Sequence, residues 1–236
     1  MPYDIIQASE VLEHPSVQSV LEIAKDLIYQ NKILNTELLY NTAKKKLGIP
    51  RKGLLTIIQT LLNRKILVEG SKYTKDTVLN NRFRRKLYEF IKNNLGTHFS
   101  HIKNHLDFSR EGKNASPGRL IWHLEMLLKF NLIKKVKVKN YTLFLPVEVG
   151  EDDGLVNFIL RDEINYKIIS KLLESTVIKL ADIYKEIEEK RELVYYRVKN
   201  LIEFEILLYE DVSNKCVKFN PKLLNIINKI MKNDME

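Results

Sequence analysis

Lysine alternates with valine through Lys134-Lys135-Val136-Lys137-Val138-Lys139, just ahead of Asn140-Tyr141. Side chains of an extended chain point to opposite faces in turn, so Lys135, Lys137 and Lys139 share one face and Lys134 lies on the other. A row of ammonium groups of this kind pairs with phosphate oxygens and releases counterions as it does so. Lysines on an exposed strand also discourage sheet-to-sheet pairing, and one row can serve both ends. Upstream, Ser116-Pro117-Gly118-Arg119 has the make-up of a helix start: serine to cap, proline for the first turn. Free amides at such a start accept a phosphate oxygen. Arg119 is placed there to reach a phosphate or a base edge, and a bidentate arginine–guanine pair is worth about 1–3 kcal/mol of discrimination.

With the leucines of this helix subtracted, Trp122 and His123 also fall near its outward start, although a tryptophan beside a leucine stripe more often packs in a half-buried position. Arg82, Arg84, Arg85 and Lys86 form a second cationic cluster at a helix N-terminus, where positive charge is mildly unfavourable and a phosphate partner offsets the cost. Arg51 and Lys52, preceded by Lys44, Lys45 and Lys46, form a third.

Other chemistries find less support. His101 and His105 stand four apart with His98 close by, a spacing that can hold a divalent metal, but only Asp107 offers a nearby carboxylate, and no metal site or cofactor is expected. There is no Gly-rich phosphate loop, no His-Glu-x-x-His and no set of nucleophile, base and acid, so the chain reads as a non-enzyme. The single cysteine, Cys216, excludes an internal disulfide framework and a cysteine-based zinc finger. No apolar run approaches bilayer length and no basic-then-apolar leader opens the chain, which predicts a soluble, cytoplasmic protein with no membrane contact.

The elements that must position these residues form a threefold repeat. Leu54 to Leu67, Leu120 to Ile133 and Val194 to Leu207 align without gaps, each with apolar residues at i, i+4, i+7 and i+8 and a closing apolar pair. Two shorter helical patterns precede each copy: 17–29 and 36–47, then 81–94 and 99–106, then 162–173 and 178–190. After the second and third copies the pattern switches to a strand, a polar turn (near Lys139-Asn140 and at 211–214) and a returning strand. After the first copy, Glu69-Gly70-Ser71 brings no returning strand. The fold class is therefore mainly α with small β-hairpins, α+β. It comprises three tandem modules, 1–79, 80–149 and 150–236, the first with a reduced hairpin. The acidic run Glu151-Asp152-Asp153, flanked by Gly150 and Gly154, reads as the linker between the last two.

Charge follows the same division. Residues 80–149 hold 14 Lys and Arg against 5 Asp and Glu, whereas residues 150–236 hold 14 against 17. One segment thus carries the excess, as a segment facing a polyanion should. The acidic third module reads as a surface for a protein partner or a second copy of the chain. The apolar stripe of its last helix, Leu223, Ile227, Ile230 and Met231, must bury against either that partner or its own module.

The stretch Gly96-Thr97-His98-Phe99, then Ser116-Pro117-Gly118 and Trp122-His123-Leu124, resembles archaeal winged helix-turn-helix transcription regulators of the tandem, MarR- and ArsR-like kind. A Gly-x-His-Phe turn precedes helix two in that family, and a Ser-Pro-Gly start and a Tyr-His-Leu core mark its recognition helix. Here Trp122 takes the place of the tyrosine, and a longer insertion, 107–115, separates helices two and three. The resemblance implies a homodimeric, sequence-specific regulator that binds double-stranded DNA. The alternatives are a winged-helix scaffold for other proteins and an architectural factor that binds nucleic acid without sequence preference.

Overall fold

The computed structural model describes residues 12–106 and 116–233, apart from 176, 212 and 214. The insertion at 107–115, Asp107 within it, and the extreme N-terminus lie outside the described residues. Cα packing divides the chain into two compact units, the described parts of 1–88 with 115–132, and of 89–114 with 133–236.

Along the chain, α1 (Pro15–Asn31), α2 (Thr36–Lys46) and α3 (Arg51–Asn63) come first. Then follow α4 (Arg82–Asn93), β1 (Thr97–His98), α5 (Phe99–His105), α6 (Pro117–Lys129), β2 (Ile133–Val138) and β3 (Tyr141–Pro146). Next come α7 (Glu151–Leu160), α8 (Glu163–Leu173), β4 (Ile178–Lys179), α9 (Leu180–Glu186) and α10 (Arg191–Glu203). The chain closes with β5 (Leu207–Asp211), β6 (Cys216–Phe219) and α11 (Pro221–Asn233). Helix dominates the described residues, among which lie two small antiparallel sheets of the same topology, β1-β3-β2 and β4-β6-β5. Between α3 and α4 the described chain forms no strand, only a turn of 3-10 helix at Val78–Asn80.

The repeat is written into the backbone. Leu54, Leu120 and Val194 are buried, as are Ile58, Leu124 and Val198, and Leu61, Leu127 and Leu201. Each of the three helices ends in the same way: Lys65, Asn131 and Glu205 adopt left-handed φ of 56°, 51° and 57°. The next amides, of Ile66, Leu132 and Ile206, donate to the carbonyls of Leu61, Leu127 and Leu201 at 2.9, 3.0 and 2.9 Å. That is a Schellman closure without its usual glycine, and it turns the chain so that Leu67, Ile133 and Leu207 bury in all three copies.

In the first unit, Val20 and Ala24 of α1, Leu39 and Ala43 of α2, and the stripe of α3 make one core. In the second, α7 to α11 share another. Leu223, Ile227 and Met231 of α11 are at most 4 % exposed within it and Ile230 is partly buried, so the stripe packs on its own chain.

Two sequence expectations are corrected. Residues 178–190 are not one helix: Ile178 and Lys179 pair with Val217 and Cys216 as a strand, and Thr97 and His98 pair likewise with Phe144 and Leu143. A two-residue strand is too short to leave a periodic pattern. The acidic run is not a linker but the first turn of α7, where three carboxylates meet the positive end of the helix dipole. Gly154 sits inside this helix because the wall beside it leaves no room for a side chain. A Cβ there would lie 2.5 Å from Leu145 Cδ1. Gly96, at φ +70°, would place its own Cβ 2.0 Å from the Gly154 carbonyl oxygen.

Candidate nucleic-acid interface

Ser116 caps α6, its Oγ accepting from the Arg119 amide at 3.3 Å, and Pro117 takes the first helical position. The cap leaves Ser116 and Arg119 exposed at the start of the helix. Arg119 lies with its guanidinium carbon 5.0 Å from the centroid of the Phe83 ring. A cation held over an aromatic face keeps a defined direction. Leu120, Leu124 and Leu127 hold the opposite face of α6 down.

Trp122 is 48 % exposed, more open than its place beside the leucines suggests. It meets His123 edge-on, with ring centroids 4.8 Å apart. His123 corrects the outward placement expected for it: at 3 % exposure, with its ring 4.3 Å from that of Phe83, it belongs to the core. Burial first, then the positive charges of Arg84 and Arg119, push its pKa down from 6.5 to about 4. Its Nδ1 has no hydrogen-bond partner among the described residues.

Arg84 does not join the cationic cluster expected at the start of α4. It is fully buried, its Nε donates to the Val78 carbonyl at 2.8 Å, and its guanidinium lies over the Tyr73 ring at 4.4 Å. Sequence reasoning had no signal for this, since Tyr73 lies on the preceding loop. Arg82 and Arg85 do face solvent, and Arg85 Nε donates to the Leu79 carbonyl at 3.2 Å. Arg51 and Lys52 are exposed in the first turn of α3, which starts after Pro50 without a side-chain cap.

The lysine row forms strand β2 as read from the alternation. Lys135 pairs with Phe144, Lys137 with Thr142, and Val138 with Tyr141, which closes a two-residue turn at Lys139-Asn140. Lys135, Lys137 and Lys139 are exposed and Lys134 is half-buried. Lys139 takes a left-handed φ of 52° at the tip. Lys134, Lys137 and Lys139 have no carboxylate partner among the described residues, so their charge is available to an outside anion. Residues 150–233 behave differently, with acids and bases pairing off: Arg197 with Asp162 at 2.7 Å, Lys167 with Glu189 at 2.8 Å, Lys171 with Glu174 at 2.7 Å.

The closely spaced histidines are used locally. His98 Nδ1 accepts from the His101 amide at 3.3 Å as the cap of α5, His101 Nδ1 bonds Thr97 Oγ1 at 2.7 Å, and His105 Nδ1 lies 3.0 Å from the His101 carbonyl. Among the described residues no three His, Cys, Asp or Glu side chains are grouped to hold a metal ion. Nor is any described helix long and apolar enough to cross a membrane.

No protein-family model matches the chain. It is similar to a Methanocaldococcus jannaschii protein named as an uncharacterized HTH-type transcriptional regulator, at 29 % identity over 171 residues. The match takes in 72 % of this chain but 41 % of the relative, so the chain spans well under half of that protein's length.

Proposed function

We propose that this protein is a non-enzymatic, sequence-specific transcription regulator built of three tandem winged helix-turn-helix modules, 1–79, 80–149 and 150–236, which binds double-stranded DNA mainly through the central one. In this reading α6 is the recognition helix of the central module, with Ser116 and Arg119 at its leading end and Trp122 beside them. The β2–β3 hairpin is the wing, with Lys135, Lys137 and Lys139 along the phosphates. Arg82, Arg85, Arg51 and Lys52 add backbone contacts. The module at 1–79 has lost its wing, and the ion-paired module at 150–236 serves protein contacts, including a homodimer. The observation that carries the reading is the lysine hairpin, with Lys135, Lys137 and Lys139 exposed along it, in a chain similar to a named HTH-type regulator.

Repeated selection of bound duplexes from a random pool, with the protein's mass measured in solution, tests it. The expected outcome is a recurring motif with two half-sites, recovered by a protein of dimeric mass. A bound pool that stays random assigns the protein to architectural binding instead, and a pool with no retained duplex removes the reading altogether.

A further inference from the structure

Gly118 stands in the first turn of α6 without an internal reason for being glycine. It is exposed, its φ lies outside the left-handed region, and a Cβ built on it would meet nothing within 4 Å. A helical glycine gives up stability relative to alanine, and here neither a turn nor close internal packing offsets the loss. What the glycine does provide is an open notch on the helix surface. Residues three and four further on share its face, and helical side chains lean toward the preceding turn, so Ile121 and Trp122 border the notch. Both are large and half-exposed, at 49 % and 48 %. Trp122 is already held in place: the Arg84 guanidinium carbon lies 5.4 Å from its ring centroid, and His123 meets it edge-on. Ile121 has the exposed Leu55 and Tyr195 as its counterparts in α3 and α10. The counterparts of Gly118, however, are Lys52 and Glu192, so of the three repeated helices only α6 carries the notch.

The surroundings select the occupant. Arg119 beside the notch is exposed, as are Arg82 and Arg85 of α4, and the first turn of α6 holds no carboxylate. The first one on this helix, Glu125, comes about two turns in. A cationic setting calls for a polyanion, and an apolar notch within it calls for an apolar group on that polyanion. In the major groove of a duplex one base edge carries such a group, the 5-methyl of thymine, whereas the other bases are told apart there by their donors and acceptors. A methyl set where the missing Cβ would stand comes up against the backbone of α6, with Ile121 and Trp122 on either side. Resting on the reading of α6 as the recognition helix, we propose that Gly118, Ile121 and Trp122 form a thymine-reading notch. Gly118 lets the duplex approach the helix backbone, and the two side chains pack on the 5-methyl group.

The duplexes recovered from the random pool are the probe, each made once with thymine and once with uracil, which lacks only the methyl group. Binding by the full chain is expected to weaken about fourfold for each methyl contacted, the effect of exposing one buried methyl. Ile121→Ala should bind the thymine duplex less tightly and lose most of the preference over uracil. Gly118→Ala should raise the unfolding midpoint by about 1–3 °C and yet weaken binding of the thymine duplex roughly tenfold, a combination that a merely structural glycine does not produce. Equal affinity of the wild type for the two duplexes overturns the inference and leaves duplex binding itself standing. So does an Ile121→Ala variant that keeps the full thymine preference. A Gly118→Ala variant that binds as the wild type does shows that nothing approaches the backbone there, and one that lowers the unfolding midpoint shows an internal role for the glycine; each overturns the inference. If no duplex is retained, the inference falls together with the reading it rests on, and this face of α6 passes to a protein partner.

Discussion

Gly96→Ala is expected to destabilise the protein by about 3 kcal/mol, the sum of about 1–2 for forcing alanine into a left-handed backbone and a further 1–3 for overpacking, the lower part of each range being realised as neighbours relax. Two facts combine at this position. The φ is +70°, and the missing Cβ would stand 2.0 Å from the Gly154 carbonyl oxygen and 3.0 Å from Phe158 Cβ. Backbone cannot swing aside as the end of a side chain can. Gly70 separates the two terms, because its φ is +69° but nothing lies within 4 Å of its Cβ position. Gly70→Ala should therefore cost about 1 kcal/mol. Urea midpoints followed by circular dichroism compare the two, and equal losses would show that the contact with Gly154 carries no weight.

Acid should weaken the fold through His123, by up to about 3 kcal/mol for a pKa that falls from 6.5 to about 4 on folding. The sign follows from which state holds the proton. Between those values the unfolded chain takes up a proton that the buried, neutral imidazole refuses, so the stabilisation is complete above pH 6.5 and is lost as the pH drops toward 4. His101 is also lowered to about 4, by burial first and then by Arg161 and its neighbouring histidines, and contributes in the same direction. A His123→Phe variant should show a flatter stability profile over this window than the wild type. Trp122 is the chain's one tryptophan and lies 4.8 Å from His123, so its fluorescence reports the titration directly. Arg84→Met should move the fluorescence midpoint upward, since Arg84 is the leading charge that holds the proton off. A midpoint near 6.5 in the wild type would contradict the buried, neutral state.

The readings that succeeded rest on periodicity, which survives in a linear sequence. The helix stripe at Leu120, Leu124 and Leu127 and the Lys–Val alternation of β2 each repeat often enough to name their own structure, and the turn at Lys139-Asn140 followed from the point where the alternation stops. The readings that failed rest on contacts with distant segments. Gly154 looked like a linker glycine because its reason for being small is Leu145, Gly96 and the backbone between them. Arg84 was grouped with the cations Arg82, Arg85 and Lys86 because nothing local announces the Tyr73 ring that covers it. His123 sits three residues past Leu120, one step off the leucine stripe, and only the Phe83 ring brings it inside.

The central claim is that the lysine hairpin neutralises nucleic-acid phosphates. The most direct measurement is the slope of log affinity against log salt for a duplex, taken with the wild type and with Lys135→Glu combined with Lys137→Glu. Each phosphate contact contributes about 0.9 to that slope, so the variant's should be shallower by about 2, with weaker binding at every salt concentration. Slopes that coincide, at equal affinity, would place those lysines off the nucleic acid and contradict the account.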